Sequence, residues 1–172
     1  SSPLTYPTGV ALSGRLRLAN IVGDNRSVTL DDVDALTSAL VTTPDTIPDA
    51  APCLATGCFA QDCYERTGDS RFVRFIVQLA DRFERDSDVR VEDFFFSAVL
   101  LGQAYALSEK PDYADSLMTL LIDADTFQSN GLYWHCHSSP WFWGRGNAFA
   151  ALGVAEALTY VPEHSQREQL LA

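Results

Sequence analysis

The feature of this sequence that most constrains its fold is a repeated pair of helical segments joined by a turn. A segment rich in small residues, a short turn and an amphipathic segment occur at residues 54–66, 67–69 and 71–85, and again at 92–107, 108–112 and 113–126. The two copies align at an offset of about 42 residues, a period typical of stacked helical hairpins. Each hairpin is predicted to place its small-residue helix inside and its amphipathic helix outside. The predicted fold class is therefore all-α.

Two weaker copies flank this pair. They consist of a turn at 23–24 between helices at 9–22 and 30–41, and a helix that includes residues 152–153, a turn at 162–163 and a final helix from His164. An open solenoid and a closed α/α toroid both fit such a repeat. We favour the toroid, because it gathers its binding site in the loops that lead into the inner helices. A closed ring of six hairpins needs well over 172 residues. We therefore expect one toroid-like domain over residues 1–172, resembling an (α/α)6 barrel and partial at this length.

Composition narrows the class of protein and its partners. The 172 residues are 47% hydrophobic, enough for one domain with a core. A net charge of −11 argues against nucleic acid or an anionic membrane as a partner, because both bind basic surfaces. No run reaches the roughly 18 consecutive apolar residues of a membrane span. We expect a cytoplasmic protein, or a periplasmic or secreted one if a signal was removed. The sequence leaves homo-oligomerisation open.

Three of the four cysteines fall on one predicted helix. Cys53, Cys58 and Cys63 follow one another at five-residue spacing, which turns each about 140° from the last around the helix axis. That separation disfavours disulfides among them. We predict small buried thiols in a reduced compartment.

Residues 131–158 concentrate the groups that carry chemistry. All three tryptophans, two of the three histidines and an arginine flanked by glycines lie here, before a run of apolar helix formers at 148–158. Asn147 is a candidate N-cap for that helix, so its first N–H groups would face the loop that holds Trp143 and Arg145. We therefore expect a site for a carboxylate or a sugar where the loop meets the helix.

The same residues resemble a known family. The string WGRGNAF at residues 143–149 resembles the W-x-R-G-N-G-W signature of glycoside hydrolase families 105 and 88. Those are unsaturated rhamnogalacturonyl and unsaturated glucuronyl hydrolases built as (α/α)6 barrels. The acidic helix start VEDFFF at 91–96 is similar to the family segment W-x-D-(D/G)-x-(F/Y)-M. The resemblance covers residues 52–172, and residues 1–51 show no convincing match.

The resemblance implies hydration of a sugar double bond. In that family an aspartate at the start of an inner helix protonates C4 of an unsaturated uronic acid and activates the water that attacks C5. A carboxyl group in a partly apolar site suits both proton transfers. Glu92 aligns best with that aspartate, and a shift of one residue would put Asp93 there. We favour Asp93 for this role because it keeps the aspartate. Both residues could instead be ordinary first-turn acids of a helix.

The resemblance also implies a set of binding residues for an oligosaccharide. These are Arg145 for the uronate carboxylate, Trp143 and Phe149 for the sugar faces, and His135 and Asn147 as further contacts. Phe149 replaces the family's second tryptophan, which suggests an altered substrate. Near Pro52, where a second family aspartate is expected, the sequence offers only Asp49.

Other classes of function receive less support. His135 and His137 flank Cys136, but no third ligand has fitting spacing, so we predict no metal and no other cofactor. The main alternative to an enzyme is a non-catalytic helical-repeat module that binds a glycan or a protein through the same aromatic loop. A degenerate or partial family member is a further alternative, and Arg145 could instead form a structural ion pair.

Overall fold

The computed structural model describes residues 4–23 and 31–171. Its α-helices are α1 (Tyr6–Val22), α2 (Asp31–Thr42), α3 (Ala51–Leu54), α4 (Ala60–Thr67), α5 (Ser70–Asp81), α6 (Asp93–Ser97), α7 (Gln103–Ser108), α8 (Pro111–Asp123), α9 (Gly144–Tyr160) and α10 (Arg167–Leu171). Turns of 3₁₀-helix occupy Pro44–Thr46 and Ala55–Phe59, and a turn of π-helix occupies Ala98–Gly102. Within the described ranges, extended pairing is limited to two isolated bridges. The all-α prediction is confirmed.

These helices form four hairpins in a partial α/α toroid. The inner layer consists of α1, the segment α3–α4, the segment α6–α7 and α9, and each is followed by its outer helix, α2, α5, α8 or α10. The inner segments pack against one another in chain order, and α5 and α8 cover them. Helix α2 contacts α5, and α10 contacts α8. The predicted turn at 67–69 coincides with a helix end, because Gly68 adopts the left-handed conformation that closes α4. Gly23 closes α1 in the same way, and residue 24 of the turn predicted at 23–24 lies outside the described residues.

The two central inner segments are less regular than predicted. The expected single helices at 54–66 and 92–107 are each interrupted, by the 3₁₀ turn in one and the π turn in the other. Gln103, fully buried, explains how the first interruption is tolerated. Its Nε2 donates to the Cys58 carbonyl at 2.7 Å, and its Oε1 accepts from the Gln61 N–H at 3.1 Å. The backbone groups that the irregular turn frees are thus satisfied from α7.

Several helix boundaries differ from the prediction: α1 begins at Tyr6 and not at residue 9, and α8 runs over Pro111–Asp123 and not over 113–126. Two further differences have a local explanation. Helix α5 ends at Asp81 and not at residue 85, because the next guanidinium, that of Arg82, donates to the Pro44 carbonyl at 3.0 Å and turns the chain away. Phe83 therefore packs from the following loop. Helix α10 begins at Arg167, three residues after the predicted start, because the preceding His164 ring accepts from the Gln166 N–H at 3.1 Å and holds a turn there.

The inner segments run in the same direction, so their starts meet at one end of the molecule. The Tyr6 ring at the start of α1 lies 5.2 Å from that of Phe96 in α6 and 5.4 Å from that of Phe149 in α9. Further along, α9 approaches α6 so closely that a Cβ on Gly153 would overlap the Phe94 backbone. Side chains on α6 and the start of α9 are therefore held in fixed relation.

The prediction for the cysteines is confirmed as far as burial goes. All four are buried with free thiols: Cys53, Cys58, Cys63 and Cys136. Burial raises the pKa of Cys58 and of Cys63 to about 12, so both thiols stay protonated at neutral pH. Among the described helices, none is both long and apolar enough to cross a membrane.

Candidate functional site

The loop between α8 and α9, residues 124–143, folds back on itself beside the start of α6. Trp134 pairs antiparallel with Phe142, and the His135 N–H donates to the Trp141 carbonyl at 3.0 Å. This pairing gives the loop a defined backbone without a full sheet. It presents the His135 ring toward the turn that precedes α6.

Asn147 secures the loop to α9. The helix begins at Gly144 with Trp143 at its N-cap, so the prediction that Asn147 caps this helix was wrong. Its amide serves Tyr133 in the loop: Oδ1 accepts from the Tyr133 N–H at 2.7 Å, and Nδ2 donates to the Tyr133 carbonyl at 3.0 Å. Local sequence rules cannot show this, because the partner lies 14 residues upstream.

The two neighbouring acids before and at the start of α6 have different surroundings. Asp93 is 9% exposed, and its Oδ2 accepts from the Arg90 N–H at 3.0 Å, which closes the turn before the helix. Burial raises the pKa of Asp93 above its ordinary value. The Glu92 carboxylate points toward His135, with Oε2 at 3.4 Å from the imidazole Nε2. That oxygen is buried and accepts no hydrogen bond from any described residue.

His135 lies between the acid and two tryptophans. The Trp141 ring is parallel to the imidazole at a centroid distance of 6.3 Å, and the Trp143 ring meets it edge-on at 5.9 Å. Trp141 is 59% exposed, so it offers an open aromatic face beside the imidazole. Aromatic faces of this kind are suited to the apolar faces of sugar rings.

Arg145 lies over the other tryptophan. Its guanidinium carbon is 4.5 Å from the centre of the Trp143 ring, and it forms no ion pair with any residue in the described ranges. Gly146 makes this packing feasible, since a Cβ there would come within 2.6 Å of Val91 and 2.7 Å of Trp143. The glycine of the motif thus brings the arginine and its tryptophan against the residue that precedes Glu92.

Phe149 belongs to a separate aromatic cluster at the same end of the toroid. Its ring lies 6.0 Å from Phe95, 5.8 Å from Phe96 and 5.4 Å from Tyr6. Phe149 is half-buried in this cluster, one and a half turns into α9. The participation of Tyr6 was not predicted, because residues 1–51 lack a recognisable motif.

The expected second aspartate has no counterpart in the site. Asp49, the nearest acid to Pro52, is 76% exposed at its side chain and receives the Arg82 Nε at 2.6 Å. That ion pair holds the loop before α3 to the end of α5. Asp49 is therefore engaged in a surface contact.

An unpredicted acid, Asp88, fixes the loop from the other side. Its two carboxylate oxygens accept the N–H groups of His137 at 2.8 Å and Ser138 at 3.0 Å. Donation from the Ser138 side chain and backbone, together with the His137 N–H, holds the pKa of Asp88 well below its usual range. No periodic signal links residues about 50 positions apart, so sequence reasoning could not find this contact.

The structure thus brings Glu92, His135, Trp143 and Arg145 together where α6 and α9 begin. No cluster of three or more metal-ligating acid, histidine or cysteine side chains occurs within the described part of the chain. The arrangement offers a proton donor or acceptor, an imidazole, an aromatic surface and an available guanidinium. Such a set fits an anionic sugar.

The fold and this group of side chains define a helical-hairpin toroid with its candidate site at one end. The model of Glycosyl Hydrolase Family 88 matches residues 1–172, and the chain belongs to that family. A solved family 105 glycoside hydrolase from C. acetobutylicum is similar in fold, with a TM-score of 0.73 at 15% sequence identity. The match covers 97% of this chain and 57% of that protein, so this chain spans little more than half of its length. No curated protein matches the chain.

Proposed function

We propose that the protein is a glycoside hydrolase that hydrates the C4=C5 double bond of unsaturated uronic-acid oligosaccharides. The observation that carries this proposal is the Glu92 carboxylate, whose buried Oε2 lacks a hydrogen bond while it faces His135 Nε2 at 3.4 Å. A buried polar atom without a partner is costly in a folded protein and calls for an explanation. An acid that exchanges protons with a substrate and a water provides one.

The chemistry needs one proton donor that becomes a base. Glu92 delivers its proton to C4 while the water attacks C5, and the carboxylate takes a proton from that water, so the acid is regenerated. The product is a hemiketal at C5, which opens and releases the neighbouring sugar as an alcohol. His135, beside the carboxyl, can hold the water or exchange the proton with Glu92.

Asp93 is the alternative acid. It keeps the family's residue type, although Glu92 aligns best with the family's aspartate. The raised pKa of Asp93 suits a proton donor. Its carboxylate is already engaged with the Arg90 N–H, whereas that of Glu92 is not. We therefore assign the proton transfers to Glu92. Asp93 is assigned a structural role, in which it shapes the turn that directs Glu92.

Arg145 and the aromatic residues would bind the substrate. The planar guanidinium over Trp143 has donors available for the uronate carboxylate, a bidentate contact that lysine cannot reproduce. Trp143 is proposed to meet a sugar face. Phe149 would act through the aromatic cluster that borders the site, and Asn147 by holding the loop.

The test is hydration of unsaturated uronic disaccharides, followed by loss of the ultraviolet absorbance of the conjugated double bond. Wild type should consume the signal, Glu92→Gln should abolish turnover while the disaccharide still binds, and Asp93→Asn should retain partial turnover. Loss in Asp93→Asn alone would transfer the role to Asp93. Persistence of the signal with wild type would refute the hydration reaction.

A non-catalytic glycan-binding module is the second candidate. It is favoured by the missing second aspartate, because Asp49 is held by Arg82. In that case calorimetry would show binding of the disaccharide to wild type without any turnover. Arg145→Ala would then weaken binding, and Glu92→Gln would leave it unchanged.

A further inference from the structure

The Asp88 carboxylate joins the two loops that lie beside Glu92, the proposed acid. Asp88 lies in the loop of residues 82–92, and its oxygens accept two successive N–H groups of the loop of residues 124–143, those of His137 and Ser138. Accepting two backbone donors fixes both the position and the orientation of the second loop, because each bond is directional.

The bonds continue toward the imidazole. The Val91 N–H donates to the His135 carbonyl at 2.8 Å, so the backbone just before Glu92 is tied to the histidine itself. The Cys136 thiol, only 3% exposed, lies 3.5 Å from His135 Nδ1 and 3.4 Å from Ser138 Oγ. The thiol thus stands between the turn that Asp88 holds and the ring that faces Glu92.

The proton positions follow from the partners. Once Glu92 has given up its proton, its carboxylate can only accept hydrogen bonds, so the imidazole form that matches it carries the proton on Nε2, the atom 3.4 Å away. His135 Nδ1 is then an acceptor, and the Cys136 S–H, which also lies within reach of the Asp88 carboxylate, is the donor that matches it. A side chain at residue 136 that cannot donate removes this preference.

We propose that Asp88 and Cys136 are positioning residues, which hold the His135 ring and its Nε2–H tautomer toward Glu92. The inference rests on the proposed function for its catalytic consequence. Neither residue touches substrate. Asp88 acts through the backbone of the loop, and Cys136 acts through the ring nitrogen.

The first test reads the ring directly. Long-range ¹H–¹⁵N spectra of the three histidines report which nitrogen carries the proton, and His137 and His164 serve as internal references. Wild type and Cys136→Ser, which keeps a donor, should show the Nε2–H form of His135. Cys136→Val should show a mixture, whereas Cys53→Val, a change at a buried thiol with no imidazole partner, should leave the His135 signals unchanged.

Turnover supplies the second readout. In Cys136→Val, kcat should fall by about 10- to 100-fold, the range known for groups that orient a functional histidine, with KM little changed. Cys136→Ser should restore most of kcat. Asp88→Asn should shift the His135 signals and lower kcat. The control is Asp69→Asn, which changes another carboxylate that accepts a backbone N–H, in a distant turn, and it should have neither effect.

The outcomes separate the two proposals. If wild type turns over the disaccharide but Cys136→Val and Asp88→Asn keep both the ring spectrum and kcat, the positioning role is overturned. If no protein shows turnover and the His135 tautomer still depends on Cys136, the hydration reaction fails and the positioning of the ring stands. An unchanged tautomer in Cys136→Val overturns the role of the thiol regardless of activity.

Discussion

Arg17 and Arg145 lie toward opposite ends of the inner helices, and their surroundings differ. The Arg17 guanidinium contacts two carboxylates, Asp62 Oδ1 at 3.1 Å and Glu156 Oε1 at 3.2 Å. Arg145 lies over Trp143 and, as far as the structure describes the chain, has no acidic partner. A paired arginine joins helices, whereas one that faces an aromatic ring keeps its hydrogen-bond donors for a ligand.

The buried groups around the two arginines differ in the same way. Near Arg17, the buried Asp62 also accepts the Ser13 hydroxyl at 2.5 Å, and Arg17 donates to the Tyr160 hydroxyl at 3.3 Å. Near Arg145, the buried oxygen of Glu92 accepts nothing. The carboxylates beside Arg17 both have partners, whereas the buried Glu92 oxygen, where we propose that the substrate binds, has none among the described residues.

The largest effect is expected from Arg145→Ala. Loss of the contact with a uronate carboxylate should weaken transition-state binding, as measured by kcat/KM, by about 2–5 kcal/mol. The free energy of unfolding should change by less than about 0.5 kcal/mol, because the side chain is exposed and unpaired. Steady-state kinetics and urea unfolding measure the two quantities. Arg145→Lys, which keeps the charge and loses the planar fork, should fall between wild type and alanine.

A contrary result would reverse the comparison. If Arg145→Ala loses stability and keeps its activity, the arginine serves the fold and the structural ion-pair interpretation of the sequence is restored.

Gly153→Ala should lower both the stability of the fold and the turnover at the candidate site. A Cβ at this position overlaps the Phe94 backbone, so α9 must move away from α6, at a cost of about 1–3 kcal/mol in the free energy of unfolding. Turnover should fall too, because α9 carries Arg145. Gly14→Ala is the matched control, since a Cβ in that exposed part of α1 meets nothing within 4 Å and should stabilise by up to about 1 kcal/mol. Equal effects of the two substitutions would contradict the close approach of α9 and α6.

Whether a feature of the fold or of the candidate site could be predicted from the sequence depends on how far apart along the chain its contacting residues lie. The hairpin repeat could be read from the sequence, because small and apolar residues recur at helical spacing and Gly68 ends an inner helix by a local rule. The motif around Arg145 was informative for a similar reason. Gly146 permits the close approach of Trp143, three residues away, and of Val91, at an adjacent helix start.

Contacts between residues far apart in the sequence could not be predicted from a local pattern. Arg17 and Glu156 are 139 residues apart, and Asp88 and His137 are 49 apart. Nothing in the local pattern distinguishes these acids from ordinary surface residues. Asn147 shows the converse error: its position suggests a helix cap, yet tertiary packing assigns its amide to the loop.

Arg17→Met tests the end where Arg17 joins the hairpins. The substitution leaves Asp62 and Glu156 without their cation, which in a fully buried pair costs about 3–5 kcal/mol. The Arg17 side chain is 46% exposed, so solvent screening should reduce the loss to about 1–2 kcal/mol. Urea unfolding should show this, with kcat per folded molecule unchanged. Arg71→Met, at a similarly exposed arginine whose partner Asp69 lies two residues away, should lose less. If both variants lose equally, the Arg17 pairs do not join the hairpins.

The smallest effect is a pH dependence at the site end. The pKa of Asp88 is depressed in the folded state relative to its ordinary value of 3.8, so its carboxylate stabilises the fold above that value, and the contribution declines as the pH falls toward the folded pKa. Wild type should therefore exceed Asp88→Asn in Tm at neutral pH, and the difference should narrow near pH 3. Thermal unfolding of the two proteins in parallel isolates this carboxylate, because every other acid is common to both. A difference that stays constant or widens on acidification would mean that the N–H groups of His137 and Ser138 do not hold Asp88 ionised, and that Asp88 does not join the two loops.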